Sequence, residues 1–208
     1  MAEVERIWLD GTSWVDVARG WLPDADEIYE AVVRDAPWRQ SRIFRYERWV
    51  DEPRLSTSSK VAGMVHPALA EAHRSVRQQY RVPFDGFTLT WYRDGRDGVA
   101  FHRDRELRWL DDTVIAVLTL GGPRPWRLRP RSSRYDHEAP AGGATHDLAP
   151  GGGDLLVMGG RCQAHWEHSV PKTSRPVPGR ISLQWRWTAK TGRPERGASY
   201  RAPRTFSR

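Results

Sequence analysis

The stretch DGVAFHRDREL, residues 97–107, sets His102 and Asp104 two positions apart. On an extended segment, residues at that spacing project to one side, so an imidazole nitrogen and a carboxylate oxygen can reach the same ion. By itself the pattern equally suits a surface strand with a polar face. Two histidines and one carboxylate on one face of a metal leave three positions open for a cosubstrate and O2, the arrangement that serves Fe(II) oxygen chemistry. A second histidine is therefore required. Of the seven histidines, His66 and His73 fall in a helical pattern and His137 and His146 in a weakly patterned connection, which leaves His165 and His168 in RCQAHWEHSVPK. These are three apart, so on an extended segment only one of them points at a shared ion.

Further on, RPVPGRISLQWRW puts Arg180, Ser182, Gln184 and Arg186 on one face of a strand and Ile181, Leu183, Trp185 and Trp187 on the other. Guanidinium groups turned inward need anionic partners, and a small dicarboxylic acid suits bidentate arginine forks. The reverse orientation, with arginines in solvent and tryptophans in the core, satisfies the same alternation. The nearby histidines favour the inward arrangement.

A framework has to hold these groups together. From Phe87 onward the apolar period falls to two, in FTLTWY, TVIAVLTL, PWRLR, DLLVMG and RISLQWRW, with Gly, Pro and Asp clusters between the runs. That spacing predicts a sandwich or jelly roll. Ahead of it, residues 23–38 (PDADEIYEAVVRDAPW) predict a helix whose Asp24 and Glu27 are spaced as a capping box. Residues 66–80 (HPALAEAHRSVRQQY) predict a second helix, with Pro67 in its first turn. The chain thus reads as mostly β with flanking helices (α+β): an N-terminal extension over 1–85, a β core over 86–189 and a basic tail over 190–208 that is disordered or loosely docked.

Composition bounds the possibilities. With 208 residues, eleven tryptophans and 38% apolar residues the chain can bury a sizeable core. A formal charge of +7 points to an acidic partner, with nucleic acid the leading candidate. The single cysteine, Cys162, excludes an intrachain disulfide framework and any cysteine-rich metal site, and a reducing, cytoplasmic location follows. The start MAEVERIWLDG has no apolar segment of the kind an export signal needs, and no run of about 18 apolar residues suggests a membrane span. A monomer is expected.

In their order along the chain, HRD (His102, Asp104), HWEHSVP and RISLQWR (Arg180, Arg186) resemble the AlkB family of Fe(II)- and 2-oxoglutarate-dependent dioxygenases. The resemblance runs from about Leu89 to Trp187 and includes WYRDGRDGVAFHRD and GGGDLLVMGG. It implies a double-stranded β-helix core, with Fe(II), 2-oxoglutarate and O2 as cofactor and cosubstrates. It also implies His168 rather than His165 as the distal metal ligand, His165 being an outer or structural residue. Tyr92 matches the tyrosine that hydrogen-bonds 2-oxoglutarate, and Thr90 stands where the family usually has asparagine. Arg180 matches the partner of the distal carboxylate of 2-oxoglutarate and Arg186 the arginine near its metal-bound end, with Ser182 on the same face able to add a hydrogen bond. The activity implied is oxidative demethylation of N-alkylated bases such as 1-methyladenine or 3-methylcytosine in DNA or RNA, with the methyl group leaving as formaldehyde. Such a base must be single-stranded or flipped out of the stack. Glu106 would face its pairing edge, and His102 would cover one face.

One departure bears on the substrate. The segment EPRLSTSSKVAGMVHP lacks the aromatic residue that repair-type members usually carry there, so either another aromatic such as Trp109 or Trp49 replaces it or the chain accepts a different substrate. Around the expected mouth, Arg93, Arg96, Arg103, Arg105, Arg108, Arg127, Arg129, Arg131 and Arg134 are candidates for phosphate contacts. Two other classes fit part of the pattern: an oxygenase of the same iron type acting on a protein or small molecule, and a non-catalytic basic β-domain that binds nucleic acid. A substrate screen separates the first, and metal and 2-oxoglutarate binding separate the second. A zinc hydrolase would leave the paired arginines without a role.

Overall fold

The fold was analysed in a computed structural model, which describes residues 2–45, 47–58, 65–104, 107, 109–131 and 145–189. The chain opens with two strands, β1 (Glu5–Trp8) and β2 (Ser13–Ala18), followed by helix α1 (Ala25–Asp35). Next come a hairpin of β3 (Arg42–Arg45) and β4 (Arg48–Asp51), strand β5 (Leu55–Ser58) and helix α2 (Pro67–Tyr80). The remainder is β6 (Thr88–Tyr92), β7 (Val99–His102), β8 (Thr113–Gly121), β9 (Arg127–Pro130), β10 (His146–Asp147), β11 (Leu155–Gly160), a single helical turn α3 (Cys162–His165), β12 (Trp166–Val170) and β13 (Arg180–Thr188).

A seven-stranded sheet in the order β1-β2-β11-β8-β13-β6-β5 faces a four-stranded sheet, β10-β9-β12-β7. All the strand pairs are antiparallel. The expected jelly roll is therefore present, and its alternation can be followed along β8, which is buried on both faces. Val114, Ala116, Leu118 and Leu120 join one apolar cluster with Ile28 and Val32 of α1, Leu69 and Val76 of α2, and Ile181, Leu183 and Trp185 of β13. Ile115 and Val117 point the other way, into a second cluster between the sheets with Trp126, Leu128, Trp166 and Val170. Burying each of these aliphatic side chains contributes roughly 1.5–3 kcal/mol.

The expected helices form within narrower limits. α1 ends at Asp35, ahead of Pro37, and its capping box is not made. Asp24 occupies the cap position with a left-handed backbone (φ 55) and no side-chain bond to the helix, whereas a side-chain cap requires extended geometry there. In α2 the cap is His66, whose ring nitrogen accepts the amide of Ala68, and Pro67 follows in the first turn. Residues before 86 are not set apart from the core: β1, β2 and β5 are strands of the seven-stranded sheet, and both helices share its apolar cluster. His146, expected in a loose connection, sits on β10 and pairs with Leu128. The tail over 190–208 lies outside the described residues. Among the described residues no helix is long and apolar enough to cross a membrane.

Candidate metal and cosubstrate site

The cleft opens between the two sheets, and each supplies one wall. In the four-stranded sheet, His168 of β12 is directly opposite His102 of β7, and their rings lie 4.3 Å apart. The expected single strand through His102 and Asp104 stops at His102. Asp104 follows it, with its backbone amide held by the side-chain carbonyl of Gln163 at 2.9 Å instead of by a strand partner. Even so the three side chains converge: one donor atom from each of His102, Asp104 and His168 lies within 4.8 Å of the others. Asp104 Oδ1 is 3.7 Å from His102 Nε2 and 4.0 Å from His168 Nε2.

Local contacts prepare these atoms. Nδ1 of His102 lies 2.9 Å from the carbonyl of Ala100; donating there fixes the tautomer that leaves Nε2 with a free lone pair. Burial, with His102 alongside, pushes the pKa of His168 down to about 3 against the pull of Asp104, so the ring is neutral and able to ligate. Trp126 stacks on it at 5.6 Å and 21°. Burial alone would raise the pKa of Asp104, but the charge and hydrogen bond of Arg186 hold it below the ordinary carboxylate range. Arg186 Nε donates to Asp104 Oδ2 at 2.8 Å, which leaves Oδ1 turned toward the histidines.

The other wall is the β6–β13 ladder. Its register pairs Arg180 with Tyr92, Ser182 with Thr90 and Gln184 with Thr88. Thr90, Tyr92, Ser182, Gln184 and Arg186 line the cleft beside His102, Asp104 and His168. The Ile181, Leu183 and Trp185 side of β13 is in the helix-covered core, so the polar face of this strand is the inward one. Arg180 is completely buried. One of its nitrogens reaches Thr119 Oγ1 at 3.3 Å, while Nε and the other terminal nitrogen have no protein partner. Burial lowers its pKa to about 10 in spite of Tyr92 nearby, so the guanidinium remains charged at neutral pH. Tyr92 is raised by burial and keeps its phenol proton.

Several site residues carry no signal that sequence reasoning could use. Gln163, fully buried in α3, positions Asp104 from 59 residues away through one backbone contact. Trp126 belonged to a recognised strand run without being linked to the site, and Arg54, paired with Glu52 at 2.7 Å, also lines the cleft. His165 lies off the cleft at the end of α3, 3.8 Å from Asp10.

The arginine rim differs from expectation. Arg93 is bound to Asp97, Arg96 to Asp94, Arg127 to Asp147 and Arg129 to Glu167. Arg103 is buried and donates to the carbonyl of Gln163, so it is not a surface contact. Local carboxylates thus take up much of the charge assigned to phosphates. Trp109 is half-buried, and its carbonyl accepts from Thr188. Trp49 is 57% exposed on β4, edge-on to Phe44. Glu106, Arg105, Arg108 and Arg134 lie outside the described residues.

A family model described as the 2OG-Fe(II) oxygenase superfamily matches residues 19–186. The chain belongs to this superfamily. Among curated proteins, this superfamily member is 28% identical over 177 residues to alpha-ketoglutarate-dependent dioxygenase alkB homolog 3 of Bos taurus, an alignment covering 79% of the chain and 62% of that relative. It is 24% identical over 179 residues to the DNA oxidative demethylase ALKBH2 of Homo sapiens, covering 78% of the chain and 68% of the relative. The AlkB resemblance read from HRD, EHSVP and RISLQWR is thereby borne out. A prolyl hydroxylase from Trichoplax adhaerens superposes with a TM-score of 0.60 at 12% identity, covering 83% of each chain, which speaks for the fold alone.

The superfamily works with Fe(II), 2-oxoglutarate and O2, and the residues present fit that set. Two imidazole nitrogens and one carboxylate oxygen are a donor set suited to Fe(II) with open positions. A buried guanidinium with two unpaired nitrogens calls for an anion, and a carboxylate of a dicarboxylic acid is a group of that kind.

Proposed function

We propose that this protein is a Fe(II)- and 2-oxoglutarate-dependent dioxygenase that removes methyl groups oxidatively from N-alkylated bases in nucleic acid. The observation that carries the reading is the convergence of His102, Asp104 and His168 beside a buried, incompletely paired Arg180. When bound, Fe(II) supplies O2 activation coupled to decarboxylation of 2-oxoglutarate. The protein's part is placement. His102, Asp104 and His168 would hold the metal, and Arg186 keeps Asp104 ionised with its Oδ1 turned toward the two histidines. Arg180 and the protonated Tyr92 take the far carboxylate, with Ser182 and Thr90 beside them.

The choice of nucleic acid rests on the AlkB relatives and on the net charge of +7. A cleft this recessed can act on a base only when the base is unpaired or flipped out. The test is formaldehyde release from single-stranded oligonucleotides carrying 1-methyladenine or 3-methylcytosine, with iron, ascorbate and 2-oxoglutarate supplied. Release that depends on all three supports the proposal. Turnover of 2-oxoglutarate without release from any such oligonucleotide removes nucleobases as the substrate and leaves the oxygenase assignment standing. Oligonucleotide binding is expected to weaken as salt rises; affinity equal at low and high salt would contradict a phosphate-based contact.

A further inference from the structure

Among the described residues Arg124 is, beside Arg180, a completely buried arginine, and neither the metal nor the cosubstrate reading uses it. It sits just past β8, within electrostatic reach of Tyr92 and Arg180. No carboxylate bonds it. Its fork instead donates to three backbone carbonyls: Asp94 at 2.8 Å, Asp97 at 3.0 Å and Pro171 at 2.9 Å. The first two belong to the turn between β6 and β7, the third to the segment leaving β12.

Those two segments are the continuations of strands that carry the site. The turn runs from Tyr92 toward His102, and Pro171 comes three residues after His168. They are in backbone contact with each other: Gly95 accepts the amide of Thr173 at 2.9 Å. A Cβ on Gly98 would lie 2.7 Å from the carbonyl of Val170, and one on Gly95 would collide with the carbonyl of Thr173. This close approach gives the two glycines of DGRDG their reason, and Arg124 closes it from inside. A planar fork with several donors in fixed directions serves carbonyls from two segments at once.

We propose that Arg124 is a positioning residue for the cosubstrate end of the cleft, fixing the β6–β7 turn and the segment after β12 against each other so that Tyr92 and Arg180 are held in place to receive the distal carboxylate. The inference rests on the proposed function, since it concerns where 2-oxoglutarate binds. It is tested by measuring the 2-oxoglutarate Kd of Mn(II)-loaded protein, followed by tryptophan fluorescence, for wild type, Arg124→Lys, Arg124→Met and the surface control Arg34→Ala.

The expected result is a Kd raised about 10–100-fold in both Arg124 variants, the range for outer partners of metal ligands, with Arg34→Ala at the wild-type value. A merely structural role would lower the folded fraction, read by near-UV circular dichroism, and leave the Kd of the folded fraction unchanged; that result overturns the inference. Should neither variant fold, hydrogen exchange on wild-type protein decides. Adding 2-oxoglutarate must raise protection in residues 93–98 and 170–175 together, and unchanged exchange in either segment overturns the coupling. Wild-type protein that binds no 2-oxoglutarate would instead count against the proposed function.

Discussion

The two ends of β13 present one side-chain chemistry in opposite conditions. Arg186 is engaged by protein: it donates to Asp104 at 2.8 Å, to Thr88 at 2.9 Å and to Gln184. Arg180, six positions earlier on the same face, is buried with a single long contact to Thr119. A charge kept from water without a full set of partners opposes folding, and one with a good partner roughly breaks even. One end of the strand is therefore paired within the folded protein, and the other keeps donors that the protein leaves open. Sequence alternation gave both arginines the same face, and only their surroundings separate them.

This contrast is breakable by exchanging each arginine for methionine, which keeps the length and removes the charge. Arg186→Met is expected to have the largest effect on the apoprotein, because it strands Asp104 in the interior without its cation; about 3–5 kcal/mol of stability should be lost in urea unfolding. Metal affinity, titrated with Co(II), should fall as well. If the variant is as stable as wild type, Asp104 does not depend on Arg186. Arg180→Met should behave in the opposite way. The apoprotein should be as stable as wild type or more so, since an under-paired charge is gone. Wild type, by contrast, should gain about 2.7 kcal/mol from 2-oxoglutarate at a hundredfold excess over Kd, and the variant should gain none. A ligand-induced gain retained in Arg180→Met would remove Arg180 from the cosubstrate site.

The same contrast shows what could be read from the sequence. The period-two runs gave β6, β8, β9, β11 and β13, because alternation is a local property of strands with buried faces. The ligand set was legible as residue types and spacing, but spacing left His165 and His168 equivalent. They part because a helical turn ends at His165 and β12 begins directly after it, carrying His168 opposite His102. Gln163 and Arg124 were not legible at all: the bonds by which they act on the site go to backbone atoms, which leave no trace in side-chain patterning. The pairing of the arginine rim with carboxylates went unread for a different reason. Arg93 and Arg96 have acids two and four positions away, and pairs this close compete with any phosphate.

Gln163 tests whether the Arg186 end is held by the protein as a whole or by that arginine alone. Gln163→Leu keeps the volume and removes the acceptor for the amide of Asp104, which is buried. A buried donor left unpaired costs about 1–3 kcal/mol, so the stability loss should be smaller than for Arg186→Met. Co(II) affinity should drop about 10–100-fold, as for other outer partners of metal ligands. An unchanged metal affinity would mean that Asp104 finds its place without this bond.

The smallest effect is expected at the ligand-dependent end. Ser182 is buried between the two arginines and opposite Thr90. If its hydroxyl contributes one hydrogen bond to the cosubstrate, Ser182→Ala should weaken 2-oxoglutarate binding by about 0.5–1.5 kcal/mol, roughly two- to tenfold, and leave metal affinity unchanged. The separation of the two readouts is the informative part. A loss of metal affinity in Ser182→Ala would show that the two ends of β13 are one coupled site, and the distinction between a protein-completed end and a ligand-completed end would fail.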